Sequence, residues 1–263
     1  MSFPTTFFGW VAFLLDKYGM VFLRGTGTTL LIALTGTVFG FIIGLLVAIA
    51  RTIEPRARAP RWRKGLVNAL KGLLAVYIEV FRGTPMMVQA MVIYYGGMQY
   101  LHIDMPVMVS AILIVSINTG AYMAEIIRGG IISVDKGQVE AAKSIGMTHW
   151  QTMCSIVLPQ AVRNIMPSIG NEFVVNIKDS SVLNVISVSE LFFMSKSAAG
   201  TYYRYFEVFF ITSVIYFVMT FTCTRILRWV EKKMDGPKNY DIHGSQTVPD
   251  VELIQAKGGA SNG

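Results

Sequence analysis

The chain has 263 residues, of which 53% are hydrophobic and only 15% charged, a balance that excludes an ordinary soluble domain. Its net charge of +7 suggests nucleic acid at first sight. The basic residues sit mainly beside apolar stretches, however, the pattern of a polytopic membrane protein, and nucleic acid is set aside. Cys154 and Cys223 have no plausible pairing, and His102, His149 and His243 show no metal-ligand spacing.

Residues 1–21 lack a basic stretch ahead of their apolar residues, which argues against a cleaved signal peptide. Phe7, Phe8, Trp10, Val11, Phe13 and Leu14 are expected to lie along the membrane surface as an N-terminal interfacial segment. Gly27–Ala50 follows as 24 residues without Asp, Glu, Lys or Arg, enough to cross a hydrocarbon core of roughly 30 Å. Gly36, Gly40 and Gly44 repeat every four residues along this first span, placed at about 22–50. They predict a close helix seam, within the chain or against a partner.

Residues 51–65 hold Arg51, Arg56, Arg58, Arg61, Arg63 and Lys64 against a single acid, Glu54. That loop is expected in the cytoplasm and the N-terminus outside. Residues 66–100 are long enough for two spans, interrupted at Gly83-Thr84-Pro85, where glycine loosens a helix and proline removes a backbone donor. The loop 101–105 has no Lys or Arg and fits the outer face. A third span over 106–128 closes with Glu125 and Arg128, spaced to pair and anchor the loop beyond.

A polar insert separates this span from the next, with a coupling segment at 132–157. It carries Glu140-Ala141-Ala142, with both alanines expected on an exposed face that another protein can approach closely. Gly146 follows as a residue free to turn with positive φ. The fourth span, 159–194, contains Pro159, Arg163, Pro167, Glu172, Lys178 and Asp179. The fifth, 204–231, ends in Arg225, Arg228, Lys232 and Lys233, so the C-terminus is also expected inside. Residues 235–263 read as a disordered tail after a transmembrane domain spanning 22–234.

A charge near the bilayer centre costs roughly 2.5–3.5 kcal/mol on insertion scales, so each needs a reason. Glu172, Asn176 and Asp179 share one helical face. Arg82 lies beside the Gly83-Thr84-Pro85 interruption, whose freed backbone groups are tolerated only in a cavity or inside protein. A zwitterionic amino acid needs a cation for its carboxylate and an anion for its ammonium group. Arg82 and Asp179 could supply these, leaving Glu172 for the substrate side chain. The competing reading is a buried ion pair that only locks the bundle.

Three stretches together resemble the polar amino acid branch of ABC importer permeases, the histidine/glutamine/arginine type. They are Glu140 to Pro159; Phe81-Arg82-Gly83-Thr84-Pro85 with Gln89 and Tyr94-Tyr95-Gly96; and Gly170-Asn171-Glu172-Phe173 with Lys178-Asp179-Ser180-Ser181. The resemblance covers about 20–234 and implies an all-α integral membrane subunit of type I, in the bacterial cytoplasmic (inner) membrane. It further implies a dimer with a second permease subunit, two ATP-binding subunits docked beneath, and an extracytoplasmic amino acid binding protein. Glu140, Ala141, Ala142 and Gly146 would couple to the ATPase. Arg82, Gly83, Thr84, Glu172, Asn176 and Asp179 would line the substrate site. A docking segment must face the same side as 51–65, so 66–100 counts as one kinked span, giving five spans, N-out and C-in. No Walker A sequence is present, so no cofactor is expected in this chain, ATP and Mg belonging to the partner ATPase. An ion-coupled secondary carrier is the rival reading, although such carriers usually have more spans, built as internal repeats.

Overall fold

The computed structural model describes residues 3–52 and 60–235, all helical or connecting, with no strand among them. The expected tail, beyond its first residue, and residues 53–59 of the basic loop 51–65 lie outside the described residues.

Helix α1 (Phe7–Thr52) has 46 residues, about 69 Å at 1.5 Å per residue. It contains the first span, but the division expected at residue 21 is absent. The N-terminal aromatics extend the same helix, and this part of α1 packs with α8 and α9, defined below, where Leu14 and Phe22 share a core cluster with Leu191, Ala198 and Val208. Helix α4 (Val107–Ile132) lies against α1 along the glycine seam. A β-carbon on Gly40 would stand 2.7 Å from Thr119 Cβ, and additions at Gly36 and Gly44 would collide with Val115 and Met123. The seam is therefore internal to the subunit.

Residues 66–100 form two helices rather than one kinked helix: α2 (Arg61–Gly83) and α3 (Met86–Tyr100). Between them Thr84 (φ −121°, ψ 148°) and Pro85 (φ −65°, ψ 136°) are extended. The cause is local, since a residue before proline is pushed out of the helical region and proline has no N–H to continue the ladder.

After α4, the polar insert folds as α5 (Lys136–Ser144) and the short α6 (His149–Thr152). A π turn at Met153–Val157 joins α6 to α7 (Leu158–Asp179). The expected span 159–194 is not one helix. It passes from α7 into a 3₁₀ turn (Ser180–Ile186), reverses at Ser187 (φ 66°), and resumes as α8 (Leu191–Tyr202), bent by 56°. Glu190 sets the new direction. Its buried carboxylate accepts from the amides of Phe192 (2.8 Å) and Phe193 (2.7 Å) and from the Tyr216 hydroxyl (3.0 Å), capping α8. Helix α9 (Tyr205–Asp235) ends the described chain.

Three of these helices, α1, α4 and α9, are long and apolar enough to cross a membrane, and the bent α6–α8 unit qualifies as a fourth.

Candidate functional site

The interruption between α2 and α3 is held open by two amides. Gln89 Nε2 donates to the carbonyl oxygens of Phe81 and Thr84, both at 2.9 Å, and lies 2.8 Å from Thr84 Oγ1. Asn118, on α4, donates to Gln89 Oε1 at 2.8 Å and reaches Phe81 O at 3.3 Å. Carbonyls orphaned by Pro85 are thus satisfied without water, so the unwound backbone can face a cavity inside the apolar layer.

That cavity, about 360 Å³, is bordered by Thr84, Pro85 and Met86 on one side and by Glu172, Val175, Asn176 and Asp179 of α7 on the other. Asn118 and Tyr122 of α4 form its back wall. The acids expected on one face of α7 do reach one hollow together with Thr84. Glu172 is partly buried and within electrostatic reach of both Asp179 and Arg82. Arg82 does not border the cavity. Its guanidinium lies over the Tyr122 ring, 5.5 Å from the centroid, and forms no ion pair among the described residues. Gly83 ends α2 with open space where a β-carbon would stand.

Asn176 has a second allegiance. It is 3% exposed, and its Nδ2 donates to Thr37 Oγ1 at 2.8 Å and to Thr119 Oγ1 at 3.0 Å. Both amide hydrogens are committed, so α7 is tied to α1 and α4 at this level, and the side chain has little left for a ligand.

At the polar end of the bundle, Asp135 caps α5 by accepting from Gly137 N at 2.6 Å, and Thr148 with Gln151 forms a capping box on α6. Gly146 has φ +82°, the left-handed turn expected of it. Glu140 and Ala141 are exposed, but Ala142 is not. It is 2% exposed, turned inward, with its carbonyl accepting from Met147 N at 3.1 Å, which corrects its expected place on the approachable face. A nine-residue helix resting on protein must bury one flank, and Ala142 lies on that flank while Glu140 and Ala141 do not. Ile145 and Trp150 stand out instead, 77% and 75% exposed on either side of Gly146. Large apolar side chains within a polar insert were the available signal for them. Val134, Val157 and Ala161 form the small core that fixes this hairpin to α4 and α7. Just above, Glu125 pairs with Arg128, as the i, i+3 spacing requires, and also with Arg51 of α1, both at 2.7 Å.

Missed by sequence reasoning were Asn118 and Tyr122, which lie in an apolar span and whose role depends on what α4 faces.

Residues 64–236 match the family model of the binding-protein-dependent transport system inner membrane component. The chain belongs to this family. The permease is 35% identical over 213 residues to the glutamine transport system permease protein of Escherichia coli (strain K12), covering 81% of this chain and 92% of that one. It is 33% identical over 214 residues to the arginine transport system permease protein of Bacillus subtilis (strain 168), with 81% and 91% covered. Among solved structures, a chain from an amino acid ABC transporter crystallised with histidines superimposes with a TM-score of 0.75 at 37% identity, over 83% of this permease and 96% of that chain. An inward-facing methionine ABC transporter shares the fold, with a TM-score of 0.67 at 16% identity and 83% and 98% covered. The permease is accordingly an all-helical inner-membrane component of the type I ABC importer fold. Its family works with ATP-hydrolysing and substrate-binding partner proteins. Nothing found favours an ion-coupled carrier.

Proposed function

We propose that this permease forms the membrane pathway of an ABC importer for a polar amino acid and moves it by alternating access driven by a separate ATPase. The observation that carries the reading is the cavity in which unwound backbone at Thr84-Pro85 meets Glu172 and Asp179. A zwitterion held there finds an anion for its ammonium group and polar backbone, inside a low-dielectric layer that strengthens both contacts. Arg82, next to the cavity over Tyr122, needs only a side-chain rotation to meet a carboxylate. Gly83 leaves that approach open, and Asn176 acts as the floor. The names of the glutamine and arginine permeases, and the histidines in the solved relative, support the substrate class.

In this reading the transmembrane domain at 22–234 has five crossings, N-out and C-in, with α2 and α3 together making the second and residues 1–21 lying at the outer boundary. The coupling segment 132–157 docks through Glu140, Ala141 and the Gly146 turn. ATP and Mg sit on the partner subunits, this chain carries no catalytic centre or cofactor, and two permease subunits pair as a homo- or heterodimer. Closure of the ATPase pair moves the coupling segments, and the cavity opens alternately to each side.

The test is uptake per folded transporter, measured for arginine, glutamine and glutamate. Asp179→Asn removes a charge-assisted bond worth roughly 1.5–3 kcal/mol, so affinity for all three falls about ten- to a hundredfold. Glu172→Gln lowers arginine uptake most. Equal losses for the three substrates with Glu172→Gln reject its side-chain role, and unchanged uptake with both variants rejects the site.

A further inference from the structure

A second cavity, about 640 Å³, opens at the end of the bundle where α1 begins and α8 passes to α9. Phe3, Trp10, Thr201, Tyr202 and Arg204 border it. Trp10 is 5% exposed, and its indole N–H has no hydrogen-bond partner among the described residues. Buried indole N–H groups ordinarily find an acceptor, because leaving one unmet forfeits its full desolvation cost. The Arg204 guanidinium lies over the same ring, 4.5 Å from its centroid. Its acid, Glu207, stands 3.5 Å away, and no hydrogen bond from the guanidinium's five N–H donors is seen among the described residues. Lys17, over the ring of the bordering Tyr202 and donating to its hydroxyl, places a second positive charge nearby.

Beside this pocket runs an apolar ridge. Phe7 packs on Phe206 and Phe210, at 5.7 and 5.3 Å between centroids, and Phe206 is 73% exposed. Exposed Phe210, Val214, Phe217 and Val218 continue the same face of α9. From Phe206 to Val218 this is about 18 Å at 1.5 Å per residue, a length suited to an acyl chain. An orphaned donor and a cation at one end of a long apolar strip match a phosphodiester with its acyl chains.

We propose that Trp10 and Arg204 form a binding site for the phosphodiester of a membrane phospholipid whose chain lies along the Phe206–Val218 ridge. The site is separate from the transport cavity. It needs only that the protein spans a membrane, and the orientation proposed above decides merely which leaflet supplies the lipid, the outer one. Held there, the lipid fastens the start of α1 to the α8–α9 junction. Free phosphate could use the donor and the cation but gains nothing from the ridge.

Native mass spectrometry of the full-length permease, extracted with its companion subunits, tests this with four probes: phosphatidylglycerol, phosphatidylcholine, diacylglycerol of the same chains, and inorganic phosphate. The expected result is retention of both phospholipids, none of diacylglycerol, and no displacement by millimolar phosphate. Trp10→Phe, which keeps an aromatic ring but deletes the indole N–H, and Arg204→Gln each weaken retention about tenfold. Should Trp10→Phe not elute as the folded complex, Arg204→Gln decides, since that side chain is 44% exposed and its loss leaves no cavity in the core. Phospholipid retained at the wild-type level by the folded variants overturns the proposal, because water or a protein partner then serves the indole. Diacylglycerol retained as well as phospholipid, or lipid displaced by phosphate, overturns it too.

Discussion

Asn176 Nδ2 donates to Thr37 Oγ1 at 2.8 Å, a bond between residues 139 positions apart that joins the last turn of α7 to α1. Because Asn176 also borders the cavity holding Glu172 and Asp179, the same helix carries both the lock and the site, on adjacent turns. The acids stay available to a ligand because the amide between them does the holding.

Replacing Asn176 by Ala separates these roles. It removes the two buried bonds that the amide donates and the one its Oδ1 accepts from Thr119, each worth about 0.5–1.5 kcal/mol, so the folded protein should lose about 1.5–4.5 kcal/mol. Thermal unfolding of the detergent-extracted complex reads that loss. The ranking of arginine, glutamine and glutamate uptake in the surviving fraction should not change. A changed ranking at unaltered stability would move Asn176 from lock to ligand.

The seam between α1 and α4 predicts a steep response to one methyl group. A β-carbon on Gly44 would lie 2.8 Å from Ala124 N and 2.9 Å from Met123 C, backbone atoms that cannot step aside. Gly44→Ala should therefore destabilise by about 1–3 kcal/mol through overpacking. Gly27→Ala, on the same helix with nothing within 4 Å, is the control and should be neutral or better. Comparable melting for the two variants would remove the seam as the source of packing stability.

At the coupling segment, Gly146→Ala forces a residue with a β-carbon into φ +82°, at a cost of about 1–2 kcal/mol. The turn lies outside the apolar layer, so insertion and yield should hold while ATP-driven uptake falls severalfold. Trp150→Ser should lower uptake likewise by shedding exposed apolar surface. Ala142→Leu, pressed into the segment's own core, should instead cost stability. Normal ATP-driven uptake by Gly146→Ala and Trp150→Ser together would show that this face does not dock.

Glu125 serves two arginines on different helices. Glu125→Gln should leave Arg51 and Arg128 without their acid and loosen the C-terminal ends of α1 and α4. The pairs are partly exposed, so the stability cost should stay below about 1 kcal/mol and fall further with added salt. Melting at low and high ionic strength checks it, and a loss insensitive to salt would point to packing instead.

The sequence alone determined the membrane class, the glycine seam, the polar insert with its Gly146 turn, and the common face of Glu172, Asn176 and Asp179. Each is a local matter: runs of apolar residues, a four-residue repeat, the freedom of a single glycine, the angle between residues on one helix. Local chemistry also marked the interruption at Gly83-Thr84-Pro85, though not that it divides one helix into two. Only the tertiary structure decided what each face meets. It turned Ala142 inward, gave Asn176 to Thr37 and Thr119, closed the seam inside the subunit, brought Asn118 to the orphaned carbonyls, and set Glu190 under a bent α8. Those outcomes depend on partners far away in the chain, and a hydrogen bond or a close contact across such a separation leaves no periodic trace in the residues that make it.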